Sequence, residues 1–417
     1  MTILKLDTPV IIIGAGPAGA ATSIFLSKAG IQHIILDKEK FPRDKICGDA
    51  CSGKTAFVLR RANPAWMEEI QAHEEKFTPS FGITFVAPNG KTLDIPFTPT
   101  RTAATKAPGF IVSRLVFDNY LFQKIPSPHA TVFEAATIKS IERNNNGIQT
   151  TFSANNITYQ VNAKIIVGAD GDKGIVRKTF INNSTPKAYA VGLRAYYQGI
   201  SSLHSDNYLE LHFLPEIKPG YFWIFPLPNG MANVGAGILS QTLRKKKINL
   251  RELMLNAIKN NPALKYRFAK ATLVDKIQGW GLPMATKREP VSGDNFMLTG
   301  DAASLIDPFS GEGIGNALYS GMLAAQAIQK SIEQNNTTAS FFNTAYDDVV
   351  WKRLGDEFKI STTLQRLCNY PMLFNYAVNK ANKSPSFKNT ISCSFTDMDL
   401  RGQLRKPSFY FKILFNR

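Results

Sequence analysis

Three unbroken apolar runs, each reaching a glycine within two residues, stand out in a chain that elsewhere mixes apolar and polar positions. The first, Val10–Gly19 (VIIIGAGPAG), predicts a strand covered on both faces, a glycine turn and a helix. Ile34–Asp37 then predicts a second strand ending in a carboxylate. The second run, Ile165–Arg177 (IIVGADGDKGIVR), predicts a strand leading into GADG and a basic helix start. The third, Asn295–Gly315 (NFMLTGDAASLIDPFSGEGIG), predicts a strand ending at Gly300-Asp301, a loop and a long Ala/Gly-rich helix. Between these runs the pattern changes to alternation. Phe81–Val86, Ala188–Tyr197, Tyr208–Phe213, Tyr221–Pro226 and Asn233–Ile238 read as strands of a sheet covering a ligand cavity. Asn144–Asn146 reads as a hairpin tip, and residues 341–417 as helices with an irregular end.

The glycine turn carries chemistry. Gly14 permits the tight turn, Gly16 lets a pyrophosphate approach the backbone, and Gly19 lets the helix pack on the sheet. The helix start turns N–H groups and a positive dipole end toward that phosphate. Asp37 stands where an acid binds adenosine ribose hydroxyls, which argues against a 2′-phosphate. No second copy of the motif occurs, so one tightly held dinucleotide organises the fold. On this motif alone a nicotinamide dehydrogenase stays open; the later segments decide for FAD. Asp301 can accept hydrogen bonds from ribityl or pyrophosphate-side hydroxyls. The N–H groups of the Pro308–Gly315 loop can face the flavin carbonyl that gains charge on reduction.

The order GAGPAG, Arg114 in SRLVFDNYL, GADG, then GDAA and DPFSGEGIGNAL resembles flavoproteins of the para-hydroxybenzoate hydroxylase fold over roughly residues 8–335. Within that group, Asp44–Ser52 (DKICGDACS) and Tyr221–Gly237 (YFWIFPLPNGMANVGAG) resemble the geranylgeranyl reductase family. Tyr221, Trp223, Phe225, Pro226, Gly235 and Gly237 match its aromatic motif; Leu227 stands where the motif has lysine, and Gly174 where the wider group has serine. The resemblance implies an α/β fold: a Rossmann-like FAD-binding domain from residues 1–75, 105–180 and 285–340. An antiparallel-sheet substrate domain would come from 76–104 and 181–284, and a helical C-terminal region from 341–417. It implies cofactor contacts from Gly14, Gly16, Ala18, Gly19, Asp37, Gly48, Asp49, Cys51, Arg114, Ile138, Asp170, Asp301, Pro308, Gly311, Gly313 and Ile314. The six aromatic-motif positions would bind a polyprenyl lipid. Cys47 and Asp49, in a loop beside the isoalloxazine, are the catalytic candidates. The reaction implied is hydride transfer from reduced flavin N5 to one alkene carbon while a proton reaches the other. NAD(P)H or a small redox protein would supply the electrons.

Composition narrows this reading. At 417 residues, 44% hydrophobic and 19% charged, the chain is an ordinary globular protein with room for two or three domains. Its four cysteines show no secreted framework, and Cys47/Cys51 lack partners for a metal. There is no 18-residue apolar run and no signal-peptide pattern, so a cytoplasmic protein is expected. The net charge of +17 is unusual. Arg244–Lys247 and the tail Arg401–Arg417, with Phe409, Tyr410, Phe411 and Phe415 between its bases, read either as a solvated surface or as contact with a peripheral partner, an anionic membrane surface, and the tail could equally fold back as a lid that closes the cavity. No nucleic-acid recognition motif accompanies the charge. Two other function classes fit the same fold. One is a monooxygenase or halogenase, in which Lys54 could stand for the catalytic lysine; an exposed loop lysine is its ordinary reading. The other is a lipid or quinone carrier that keeps FAD structurally.

Overall fold

The computed structural model describes residues 3–98, 101–102, 104–125, 128–181 and 188–384. Its centre is the strand Ile3–Ile13, whose Val10–Ile13 end is almost wholly buried, as an apolar run flanked on both faces must be. This strand pairs in parallel with Ile157–Gly168 on one side and His33–Leu36 on the other. Phe296–Leu298 and Ala130–Phe133 extend the sheet outward, also in parallel. The hairpin Thr137–Asn144/Gly147–Ala154 adds two antiparallel strands, with its tip where the sequence predicts it. Strands far apart in the chain therefore share one sheet, and every parallel strand end points into the same crevice. Helices Pro17–Lys28 and Ile314–Glu333 lie against each other on one face. A side chain at Gly321 would collide with the Ala18 carbonyl, so small residues set their close approach.

A second sheet runs in the order Thr272–Leu273, Tyr189–Gln198, Met231–Leu239, Gly220–Pro226, Leu209–His212, Gly82–Val86, Thr92–Pro96. Gln278–Pro283 is also paired to Tyr189–Gln198. All its pairings are antiparallel except Gly82–Val86 with Leu209–His212. Its alternation divides two cores. Phe222 and Ile224 pack with Leu250, Met254, Leu264 and Phe268. Trp223 and Phe225 point the opposite way, toward Phe85, Leu211 and Phe213. A third, small sheet (Ala50–Cys51, Gly109–Ile111, Thr78–Ser80) joins the two large ones.

Two departures from the sequence reading have local causes. Residues 240–265 form helices inside the segment read as strands. Apolar Leu250, Leu253, Met254 and Ala257 recur at helical spacing, and the Asn249 side chain accepts N–H groups from Arg251 and Glu252 as an N-cap. Thr78–Ser80 belongs to the small sheet instead of the cavity sheet. Arg244–Lys247 form the exposed end of the helix Ser240–Lys246. Helices Asp348–Leu367 and Pro371–Lys383 close the described chain. The basic tail 401–417 lies outside the described residues. Among those described, no helix is long and apolar enough to cross a membrane.

Candidate active site

The two large sheets enclose one cavity of about 1420 Å³. Single-ligand sites run to roughly 300–1,000 Å³, so this one has room for a cofactor and a second molecule together. At one end lies the glycine turn. Gly14 takes φ +100°, and a side chain there would collide with the Ala169 carbonyl. Gly16 caps the helix Pro17–Lys28, so Gly14, Gly16 and Ala18 present backbone to the cavity. Gly19 sits behind them, where a Cβ would run into the Gly14 carbonyl. The Asp37 carboxylate accepts Ala15 N–H at 2.7 Å and Glu39 N–H at 2.9 Å, fixing it at the cavity edge. Ile138 and Asp170 line the same end. Asp170 accepts Val176 N–H at 3.1 Å, and burial raises its pKa to about 6. A side chain at Gly174 would collide with that carboxylate. Arg114 makes a two-pronged pair with Asp118 at 2.6 and 2.7 Å, and Arg43 joins it. Lys45 Nζ meets Asp301 Oδ2 at 2.9 Å across the floor. Backbone that no side chain could replace, a helix start and an acid beside it fit the adenosine–pyrophosphate half of FAD.

The loop Pro308–Ile314 follows along the wall and is held from three directions. Asp307 Oδ1 accepts the N–H groups of Phe309 and Ser310, while its Oδ2 accepts Ser361 Oγ at 2.6 Å. Gln365 Nε2 donates to the Pro308 carbonyl at 2.5 Å, and Tyr221 Oη donates to the Ser310 carbonyl at 2.5 Å. Gly311 takes φ +71°, which turns the chain over the cavity. Gly313 and Ile314 lead from it into the helix Ile314–Glu333.

Opposite that loop, Cys47-Gly48-Asp49 crosses the cavity, with Asp49 at φ +68° and fully buried. Asp49 Oδ2 accepts Tyr196 Oη and Asn233 Nδ2, both at 2.7 Å. Its Oδ1 is buried with no hydrogen-bond partner. Burial raises the pKa to about 6, against the lowering effect of those two bonds. Asn233 is the hub: it also donates to the Cys47 carbonyl at 2.8 Å and accepts Trp223 Nε1 at 2.9 Å. Arg114 and the Cys47 thiol interact electrostatically, and burial pushes the Cys51 thiol well up.

Beyond Asp49 the cavity becomes apolar. Tyr221, Trp223 and Phe225 form a row with ring centroids 6.1 and 6.2 Å apart, and Leu227 joins their cluster. Gly48 lies against Phe225, where a Cβ would stand 3.2 Å from the ring. Gly237 lines the cavity beneath Trp223; Pro226 and Gly235 do not. Gly235 instead seats the indole, since a Cβ there would overlap Trp223 and the Leu193 carbonyl.

Several wall residues escaped the sequence reading. Leu364, Leu373, Phe374 and Val378 come from the last two helices and complete the apolar end. Their one sequence signal is apolar spacing on a helix, which reads equally as core. Asn233 is a polar residue within a buried strand, a signal that marks an oddity without naming its partners. Lys54 corrects an expectation. It is 5% exposed, lies in the helix Gly53–Ala62 and is not among the cavity-lining residues; it binds Asn316 at 2.5 Å and, at 3.2 Å, Glu357, which does line the cavity.

Residues 7–338 match the family model described as an FAD binding domain. A digeranylgeranylglycerophospholipid reductase of Methanosphaera stadtmanae is 30% identical over 86% of each chain. The chain belongs to the geranylgeranyl reductase family of FAD-dependent oxidoreductases. FAD is its cofactor. A menaquinone reductase of Mycobacterium tuberculosis is 27% identical to this oxidoreductase over 87% of its chain and 84% of the relative. A geranylgeranyl bacteriochlorophyll reductase-like protein of Thermoplasma acidophilum shares the fold at a TM-score of 0.78 and 21% identity, covering 96% and 99% of the two chains.

Proposed function

We propose that this oxidoreductase saturates isolated double bonds of a polyprenyl lipid. The observation that carries the reading is one continuous cavity with a dinucleotide cradle at one end and an aromatic, apolar gallery at the other. A buried carboxyl group stands between them. Bound FAD, once reduced, supplies a hydride from N5 to one alkene carbon. Asp49 holds a proton at Oδ1 and delivers it to the other carbon, so hydride and proton together balance the reduction. An isolated alkene has no carbonyl to activate it, so the added proton leaves transient positive charge on carbon. Faces of Trp223 and Phe225 stabilise that charge as a cation–π contact does, and the apolar wall excludes competing water. Asn233 positions the acid relative to the wall by bonding both. NAD(P)H or a small redox protein would serve as the electron donor.

The relatives' names suggest two lipid classes, prenylated glycerolipids and prenylated quinones, which share the repeating alkene. A halogenase reading would use Lys54 as its catalytic lysine, and Lys54 is buried, is not among the cavity-lining residues and is held by Asn316 and Glu357. A carrier that keeps FAD structurally would have no use for a buried, protonatable Asp49 beside the flavin loop.

The test is anaerobic. The flavin is reduced with dithionite, mixed with a detergent-dispersed polyprenyl glycerolipid or menaquinone, and followed by absorbance and lipid mass spectrometry. Flavin reoxidation with a gain of two hydrogens per double bond is expected from one of them. Reoxidation by oxygen and halide only, with an added oxygen or halogen in the product, overturns the reading. So does a flavin inert to every lipid.

A further inference from the structure

The loop Pro308–Ile314 carries one charged side chain, Glu312, and it lines the cavity. The Glu312 carboxylate accepts the Ser52 hydroxyl, and it lies over the first turn of the helix Ile314–Glu333, where a Cβ at Gly315 would collide with it. Ser52, which also lines the cavity, is the N-cap of the helix Gly53–Ala62 and accepts Lys54 N–H at 3.2 Å. One carboxylate therefore sits where two helices begin, and ties the loop to the segment that carries Cys47, Gly48 and Asp49. Its backbone is fixed as well: the Glu312 carbonyl accepts Asp307 N–H at 3.0 Å and Asn316 Nδ2 at 3.1 Å. Asp307, the acid just before the loop, has its oxygens taken by Phe309 N–H, Ser310 N–H and Ser361 Oγ. Lys54 directs its ammonium to Asn316 and Glu357. Among the described residues the Glu312 carboxylate is bonded to a hydroxyl and to no base.

Helix starts and loop N–H groups are the positive features that this wall offers to a flavin gaining charge. A carboxylate lodged among them cancels part of their field. Reduction of FAD takes up two electrons and one proton to give an anion, and a second proton gives the neutral reduced form. A fixed negative charge beside the ring opposes the anion more than it opposes oxidised FAD, and it does so most strongly where water is excluded. We propose that Glu312 holds the flavin at a lower reduction potential than the rest of the loop would set. The lower potential makes the reduced flavin a stronger hydride donor, which suits an alkene that no carbonyl activates. The proposal rests on the loop Pro308–Ile314 lying along the flavin, and on the lipid reading only for its purpose.

The experiment measures the midpoint potential of the full-length, FAD-loaded protein, anaerobically, at neutral pH, against a reference dye and without lipid. Glu312→Gln keeps the side-chain length and an oxygen for the Ser52 hydroxyl but removes the charge. It should shift the equilibrium at least about tenfold toward reduced flavin, a potential about 30 mV more positive for a two-electron couple. Glu312→Asp keeps the charge and should stay closer to the native value. An unshifted or more negative potential in Glu312→Gln overturns the proposal. So does a Glu312→Asp protein shifted as far as Glu312→Gln, since side-chain geometry and not charge would then set the potential. For a variant that binds FAD loosely, the same shift is read by linkage from its dissociation constants for oxidised and reduced FAD. A ratio of those constants equal to the native one overturns the proposal. The measurement is independent of lipid turnover. A native protein inert to lipid leaves the potential shift standing, and an unshifted Glu312→Gln leaves lipid reduction standing.

Discussion

Asp49 is kept from water yet not from hydrogen bonds, and the balance favours its neutral form up to about pH 6. Below its unfolded value of 3.8, folded and unfolded chains are both protonated. From 3.8 to about 6 the unfolded chain has released the proton and the folded chain has not, so stability falls as pH rises, and the loss is complete above that range. The loss is on the order of 2–3 kcal/mol. Asp49→Asn should therefore narrow the difference in melting temperature between pH 4 and pH 7. If Asp49 is the proton source, anaerobic reoxidation of the reduced flavin by lipid should decline above about pH 6 in the native protein. In Asp49→Asn it should be slower by about 10²–10⁴-fold below pH 6, with FAD retained, and the difference should narrow as pH rises above that value. A pH profile identical in the two proteins would remove Asp49 from the reaction. The Cys-Gly-Asp loop is visible in the sequence as chemistry near a cofactor. The raised pKa is not, because Tyr196 and Asn233 reach Asp49 from strands 147 and 184 residues away.

The strand Gly220–Pro226 shows what alternation can and cannot reveal. Period two predicts correctly that Tyr221, Trp223 and Phe225 share a face. It does not reveal which face meets a core and which a cavity, since aromatic residues stand on both. Packing decides that: helices 250–260 and 262–265 cover Phe222 and Ile224, leaving the other face to the gallery. Two truncations on one strand then differ in kind. Phe222→Ala, at 0% exposure, should cost roughly 3–5 kcal/mol and lower the melting temperature strongly. Trp223→Ala opens a wall that already faces a void, so its melting temperature should fall less, with FAD retained and lipid reduction lost. Thermal unfolding and turnover measured on both variants separate these outcomes. A Trp223→Ala protein as unstable as Phe222→Ala would make the indole ordinary core. The glycine turn is more fully legible, because its geometry is local: Gly14 and Gly19 meet atoms of the same βαβ unit and of its neighbouring strand end. The cavity's far wall is the least legible, being assembled from the last two helices.

At the scale of the whole molecule, the cofactor site lies between separate apolar cores. The parallel sheet and its helices form one apolar cluster, and the cavity sheet contributes to three more; the space between is the ligand cavity. The loop 307–313 and the 47–49 crossing face each other across that space, and each is hydrogen-bonded to partners from distant parts of the chain. FAD bound there contacts both halves, so it should act as a cross-brace whose contribution follows mass action. At free FAD a hundredfold above its dissociation constant, the native state gains about 2.7 kcal/mol. Apo-protein should therefore melt at a lower temperature, with FAD raising the midpoint by an amount that grows with the logarithm of its concentration. Gly16→Val places a branched side chain toward Arg43 Nη2, where a Cβ would stand 3.3 Å away and where the pyrophosphate would have to run. That variant should purify colourless, and its midpoint should match apo-protein and ignore added FAD. Scanning calorimetry across an FAD series on both proteins tests this directly. A Gly16→Val protein that stays yellow would move the pyrophosphate away from the glycine turn. An apo-protein as stable as the holo-protein would mean that the two sheets hold each other without the cofactor.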